Sequence, residues 1–408
     1  MKTLGVDAVD FLDVGALLSD EERIVRDTVR AFVRDRVLPN VAEWFEDGTL
    51  PRALGKQLGD LGLLGMHLRG YGCAGASAVA YGIACMELEA GDAGVRSFAS
   101  VQGSLAMYAI YRWGDDGQKE AWLPRMSAGD AIGCFGLTEP DFGSNPAGMR
   151  TYARRDGADW VLNGTKMWIT NGSIADVAIV WANTDDDARG RASAAEAQDV
   201  RKAAGIRGFI VPTNSKGFVA NDVHRKLSLR ASITSELVLQ DCRVPSDALL
   251  PNARGLAGPL ACLNEARFGI IWGAIGAARA CYETALDYAK TRVQFDRPIG
   301  GFQITQQKLV NMLLELNKGT LLALHLGRKK DAGQLRPSQV SFGKLNNVRE
   351  ALAIAREART ILGANGVTLE YPVIRHMNNL ESVLTYEGTS EMHTLIVGKE
   401  ITGLDAFT

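Results

Sequence analysis

The spacing of apolar residues changes twice along this chain, and the two changes constrain the fold more than any composition figure does. From about Leu17 to Met126 apolar residues recur at helical spacing. Ser19-Asp20-Glu21-Glu22 supplies an N-cap and an acidic first turn ahead of Ile24, Val25, Val29, Phe32 and Val33. Between Phe135 and Leu250 the texture becomes short β-favouring runs, Trp160 to Leu162, Val177 to Trp181, Phe209 to Val211 and Glu236 to Leu239. The turn pairs Asn163-Gly164 and Asn171-Gly172 break them. From Leu260 to Gly403 long helical periodicity returns, as in Leu309, Met312, Leu313 and Leu316, and again in Leu321, Leu322 and Leu324. This order predicts an α+β multidomain chain: an N-terminal α-helical domain over residues 1–134, a middle antiparallel β-domain over 135–250 and a C-terminal helical bundle over 251–408. Asn183 to Gly205, with Asp185-Asp186-Asp187, interrupts the β texture and reads as a solvated insertion without chemistry.

The 408 residues suffice to enclose a large cofactor. With 45 Lys+Arg against 47 Asp+Glu the charge balance offers nothing to a nucleic acid or an anionic membrane. The six cysteines lack CxxC spacing and read as reduced core thiols, and the five histidines form no HxH or HExxH pair, so no metal site is expected. The first residues carry Asp7, Asp10 and Asp13 and have neither an apolar h-region nor an Arg-rich presequence. No run approaches the ~20 apolar residues of a membrane span, and a soluble cytoplasmic protein is the expectation.

Five segments could carry chemistry. Thr385-Tyr386-Glu387-Gly388-Thr389-Ser390-Glu391 places a carboxylate on a glycine turn, which suits a general base, although a glutamate beside a glycine is usually a solvated helix end. Phe135-Gly136-Leu137-Thr138-Glu139-Pro140, followed by Phe142-Gly143-Ser144-Asn145, lets backbone amides approach a planar ligand or a phosphate, or is an interdomain loop. Lys166-Met167-Trp168-Ile169-Thr170-Asn171-Gly172 is a strand ending in a turn whose Trp suits either core or a cofactor wall. In Arg292-Val293-Gln294-Phe295, with Phe302-Gln303 beyond it, the Arg could hold a pyrophosphate and Phe295 could stack on a base. Leu362-Gly363-Ala364-Asn365-Gly366 lets a helix end meet a phosphate or simply caps a helix.

In this order, the segments resemble the acyl-CoA dehydrogenase family along essentially the whole chain. The stretch from Leu263-Asn264-Glu265-Ala266-Arg267 through Ile374-Arg375-His376 to Ile401-Thr402-Gly403 and Ala406-Phe407 is most similar to the glutaryl-CoA-oxidising branch. The resemblance implies that the C-terminal helices form a four-helix bundle, with FAD between the β-domain and that bundle. Phe135, Leu137, Thr138, Gly143 and Ser144, with Trp168, Ile169 and Thr170, would surround the isoalloxazine ring. Arg292, Phe295, Gln303, Thr360, Leu362, Gly363 and Ala364 would hold the adenine and pyrophosphate half across a subunit interface. Thr389, Ser390, Glu391 and Phe407 would complete the cofactor site. It further implies a homotetramer, an electron-transfer flavoprotein as acceptor, and Leu260, Asn264, Arg267 and Ser144 against the acyl-CoA. Glu387 would remove the α-proton while the thioester carbonyl is held by its own backbone amide and a ribityl hydroxyl.

The run Glu87-Leu88-Glu89-Ala90-Gly91-Asp92-Ala93-Gly94-Val95-Arg96-Ser97 resembles the branch's carboxylate clamp, in which Arg96, flanked by Ser97 and backed by Glu89 with Tyr386 beside the base, holds the distal carboxylate of the substrate. Read from the residues alone, Arg96 is a structural partner of Glu89 or Asp92. The clamp implies oxidation and decarboxylation of glutaryl-CoA to crotonyl-CoA. The alternatives are a dehydrogenase of other or non-decarboxylating acyl specificity and a non-catalytic flavin or acyl-CoA binding protein. The chain departs from the pattern at Phe142, Asn145, Val95, Phe268 and Ala364.

Overall fold

The computed structural model describes residues 7–184 and 205–406, so most of the expected insertion and Phe407 lie outside the described residues. The N-terminal third is helical: α1 (Asp20–Phe32), α2 (Val41–Asp47), α3 (Leu54–Asp60), α4 (Ala78–Gly91), α5 (Ala93–Ser100), α6 (Tyr108–Trp113) and α7 (Asp116–Ser127). A two-strand hairpin, β1 (Arg69–Gly70) and β2 (Cys73–Ala74), precedes α4, and a π-helical stretch, Val101–Met107, joins α5 to α6. The expected N-cap forms a full capping box: the Glu22 amide donates to Ser19 Oγ at 3.3 Å and the Ser19 amide to Glu22 Oε2 at 2.8 Å. α4 is buried nearly all round because it is wedged between α1 and the C-terminal helices.

The middle domain is one seven-stranded sheet of β3 (Gly133–Gly136), β4 (Tyr152–Asp156), β5 (Asp159–Thr170), β6 (Val177–Thr184), β7 (Ile206–Pro212), β8 (Phe218–Asp222) and β9 (Thr234–Val244). The four β-favouring runs all lie in strands. The sheet is mixed rather than antiparallel throughout, since β3 and β4 each run parallel to β6 along successive stretches of it. Asn163-Gly164 is not a turn either. It lies inside β5 at a register shift against β9, where Gly164 has φ +148° and the Asn163 side chain accepts from the Asp241 amide at 2.9 Å. The strands stay bonded on both sides, and the extra residue of this bulge is on β9, where Gln240 and Asp241, the latter at φ +47°, face Asn163. Asn171-Gly172 does turn the chain, with Asn171 at φ +66°.

α8 (Ala257–Thr291), α9 (Gln303–Asp331) and α10 (Pro337–Leu362) form the C-terminal bundle with α11 (Val373–Thr385) and α12 (Ser390–Thr402). A short hairpin, β10 (Val293–Gln294) and β11 (Arg297–Pro298), links α8 to α9. One apolar core runs from α1 and α4 through the bundle, a second lies between α6, α7 and the sheet, and a third fills the sheet's other face. Among the described residues no helix is long and apolar enough to cross a membrane.

Candidate active site

The turn between α11 and α12 holds Glu387 in the left-handed region, at φ +54°, followed by Gly388 at φ +98°. A non-glycine residue there is strained, so the surroundings must hold it. Three bonds do so. Lys344 on α10 donates through Nζ to the carbonyls of Tyr386 and, at 2.6 Å, Gly388, while Arg267 on α8 donates through Nε to the carbonyl of Glu387 at 2.7 Å. Glu387 Oε2 is enclosed and has no hydrogen-bond partner. Burial pushes its carboxyl up from the usual range, against the pull of Arg96, Lys344 and Arg267.

Beside the turn lies a buried guanidinium. Arg96 on α5 is 1% exposed, donates through Nε to Glu89 Oε2 at 2.5 Å and through Nη2 to Tyr386 Oη, and stacks over the Tyr386 ring. Its acidic partner is Glu89. Asp92 instead caps α5 through the Gly94 amide and binds Arg375 and Asn379. α8 makes room for the pair with Gly273, where a Cβ would stand 2.1 Å from Glu89 Oε2. Glu89 Oε1 and Ser97 Oγ are buried without partners, and burial raises the Glu89 carboxyl despite Arg96. Two of the five guanidinium N–H groups are engaged. The pocket therefore keeps donor capacity for a further carboxylate.

The sheet contributes a second cluster. Lys166, fully buried, donates to the Leu137 carbonyl at 3.1 Å and to Glu139 Oε1 at 2.8 Å, and Glu139 accepts from the amides of Arg150 and Thr151. Burial lowers Lys166 to about 8, with Glu139 opposing. The Met167 amide bonds the Thr138 carbonyl at 2.8 Å, so the Thr138 loop and the end of β5 are one unit. There a second register shift puts Trp168 at φ +64° with its indole 58% exposed. Phe135 instead packs on Trp181, and Leu137 and Ile169 are core residues, so their side chains serve the interior. Thr170 ends β5, and Gly143 and Ser144 are exposed in the loop ahead.

Arg292, Phe295 and Gln303 gather at the far end of the bundle, where α8 ends and α9 begins, with Phe295 89% exposed. The bond from Asn365 Nδ2 to Tyr288 Oη, 3.0 Å, brings the Gly363-Ala364 loop to the same end. Leu362 is buried in the core there, and the Thr360 hydroxyl is spent on carbonyls of its own helix. Thr389 caps α12 through the Met392 amide, with Ser390 and Glu391 in the first turn. Leu260 is partly exposed near the start of α8, and Asn264 Oδ1 accepts weakly from Arg267, at 3.4 Å. Arg267 itself, expected against the acyl-CoA, is turned to the base loop. Lys344 was not anticipated. Its signal was a lysine in the buried stripe of Val340, Asn347, Val348 and Ala351.

Three family models match the chain in order: Acyl-CoA dehydrogenase, N-terminal domain, over residues 19–130; middle domain, over 134–242; and C-terminal domain, over 253–402. A crystal structure of a glutaryl-CoA dehydrogenase from Mycobacterium smegmatis in complex with FADH2 superposes with a TM-score of 0.93 at 63% identity, covering 98% of this chain and 99% of that one. Butyryl-CoA dehydrogenase from Megasphaera elsdenii gives 0.87 at 30% identity, covering 94% and 98%. The human mitochondrial short-chain specific acyl-CoA dehydrogenase is 34% identical over 93% of this chain and 90% of its own length.

Proposed function

The chain belongs to the acyl-CoA dehydrogenase family, and on that premise we propose that it oxidises glutaryl-CoA and releases CO2 to form crotonyl-CoA. The observation that carries this reading is the buried Arg96, with donors to spare, touching the residue next to Glu387. A hydrocarbon acyl tail would leave those donors buried and unpaired, whereas a distal carboxylate satisfies them bidentately. Glu89 offsets the guanidinium charge, and Tyr386 and Ser97 add hydroxyls.

Each residue then has a task. Glu387 takes the proton from the α-carbon, and its enclosed, partnerless Oε2 is suited to that because a desolvated carboxylate is the stronger base. FAD, when bound, supplies the acceptor for the hydride that leaves the β-carbon. Arg96 keeps the carboxylate of the resulting enoyl thioester in place until the bond between that carboxylate and the γ-carbon breaks. The electron pair passes into the conjugated thioester as a dienolate and CO2 leaves. Glu387, now protonated, returns its proton to the γ-carbon.

For the cofactor, the exposed indole of Trp168 in its bulge and the exposed Phe295 ring on its hairpin are surfaces that a flat ring system would cover. They fit FAD, with Thr138 and Thr170 at its polar edge and Arg292 for its pyrophosphate. Arg292 follows Arg267 along α8 by about 37 Å at the α-helical rise, too far to share one cofactor with Glu387 in the same chain. The reading therefore places each FAD between two copies of the chain, and with the family resemblance it includes a homotetramer and an electron-transfer flavoprotein as acceptor.

The test is an anaerobic titration of wild type and Arg96→Ala with glutaryl-CoA and butyryl-CoA, with product analysis. The variant is expected to lose glutaryl turnover by more than ~10²-fold, about 3 kcal/mol, with crotonyl-CoA and CO2 as wild-type products. Equal turnover of glutaryl-CoA by both proteins would remove the clamp, and glutaconyl-CoA as end product would remove the decarboxylation.

A further inference from the structure

Three consecutive carbonyls, those of Tyr386, Glu387 and Gly388, are each held by a cationic side chain from outside the turn: Lys344 takes the outer two and Arg267 the middle one. Lys344 is 1% exposed, and its ammonium bridges both flanks of Glu387. Enclosing an ammonium costs several kcal/mol, and two neutral carbonyls offset only part of that. The missing compensation is a nearby negative charge, and Glu387 is the acid that acts on it.

We propose that Lys344 is a positioning residue for proton abstraction: it ties the two sides of the turn together in the left-handed shape and keeps the Glu387 carboxylate ionised in a dry site. The inference rests on Glu387 being the base. The groups that face this pair come from five elements. Arg267 reaches it from α8, Arg96 from α5 with Glu89 behind it from α4, His393 from α12, and Tyr386 lies in the turn itself. Burial holds His393 neutral, down at about 3, and holds the Tyr386 phenol protonated by pushing it up. Burial also lowers Lys344 to about 7, with Glu387 opposing and Arg267 and Arg96 adding to the fall. The two arginines stay charged, so Lys344 is the cation whose charge can be removed without dismantling the substrate clamp.

The experiment compares the FAD-loaded wild type with Lys344→Met and Lys344→Gln, measuring flavin content, Tm, kcat, KM and the pH profile of kcat/KM with glutaryl-CoA. Removing a nearby positive charge makes the carboxylate harder to ionise, so the acid limb is expected to move to higher pH by about one unit. kcat is expected to fall more than ~10-fold with KM changed less than ~3-fold, as for a group that acts on the chemical step. A folded, flavin-replete Lys344→Met with an unmoved limb would overturn the proposal. If that variant does not accumulate, Lys344→Gln is read by the same criterion, because it keeps a donor and loses the charge. Glu387→Gln separates the two readings: full turnover by it removes the base and this inference together. An inactive Glu387→Gln beside an unmoved limb in the lysine variants removes only the role of Lys344.

Discussion

At residue 388 two constraints act on one Cα. Its φ is +98°, and a Cβ there would stand 2.8 Å from His393 Nε2 and 3.3 Å from Arg267 Nη2, so a side chain presses on His393 and on the arginine that holds the base turn. Gly388→Ala is expected to cost about 1–2 kcal/mol of stability and more than ~10-fold in kcat, read by thermal unfolding and steady-state kinetics. An alanine variant with wild-type kcat would show that the turn tolerates movement. The partner of Arg96 was a different kind of problem. Both Glu89 and Asp92 precede it in sequence, and spacing does not choose between them. Glu89 is the partner because Asp92 ends α4, turns to cap α5 and is taken by Arg375 from α11. Those contacts are set by packing between distant segments, so no local pattern carries them.

Elements are joined here by buried ion pairs as well as by apolar faces. Glu87 on α4 receives Arg30 of α1 at 2.9 Å and Arg279 of α8 at 2.7 Å, which ties three helices at one carboxylate. Burial alone would raise that carboxyl, but the two guanidiniums outweigh it and hold it at about 2. Its folded value lies below the unfolded one, so the stabilisation is complete above the unfolded value near ~4.5 and is lost as pH falls toward about 2. Glu87→Gln is expected to cost about 3 kcal/mol at pH 7 and to flatten the acid limb of stability in that window, measured by urea unfolding at several pH values. Equal slopes for variant and wild type would remove the assignment. Helix periods and β-favouring runs made these elements legible in advance. The bulge opposite Asn163 was not, because an Asn-Gly pair suits a turn, and only the continued pairing with β9, which carries the extra residue at Gln240-Asp241, decides against one.

At the scale of the whole molecule, Arg292 lies just past the C-terminal end of α8, about 37 Å along the helix from the Arg267 that bonds Glu387, so in the proposed reading a cofactor touching both needs a second copy. Arg292→Ala and Glu387→Gln should each be inactive alone, the first through loss of flavin. Coexpressed, they should regain activity in roughly a quarter of the sites for random pairing, measured as turnover per subunit. No recovery would place both residues in one chain's site. The sequence by itself determined the order of the three textures, the helix caps and the runs that carry Glu387, Arg96 and Trp168, because periodicity and turn chemistry act over a few residues. Tertiary structure alone decided that Glu89 rather than Asp92 faces Arg96, that Arg267 serves the turn, and that Lys344 lies beneath it. Those outcomes depend on which buried charges meet across helices far apart in the chain, and the cost of leaving such a charge unpaired is settled only when the helices pack.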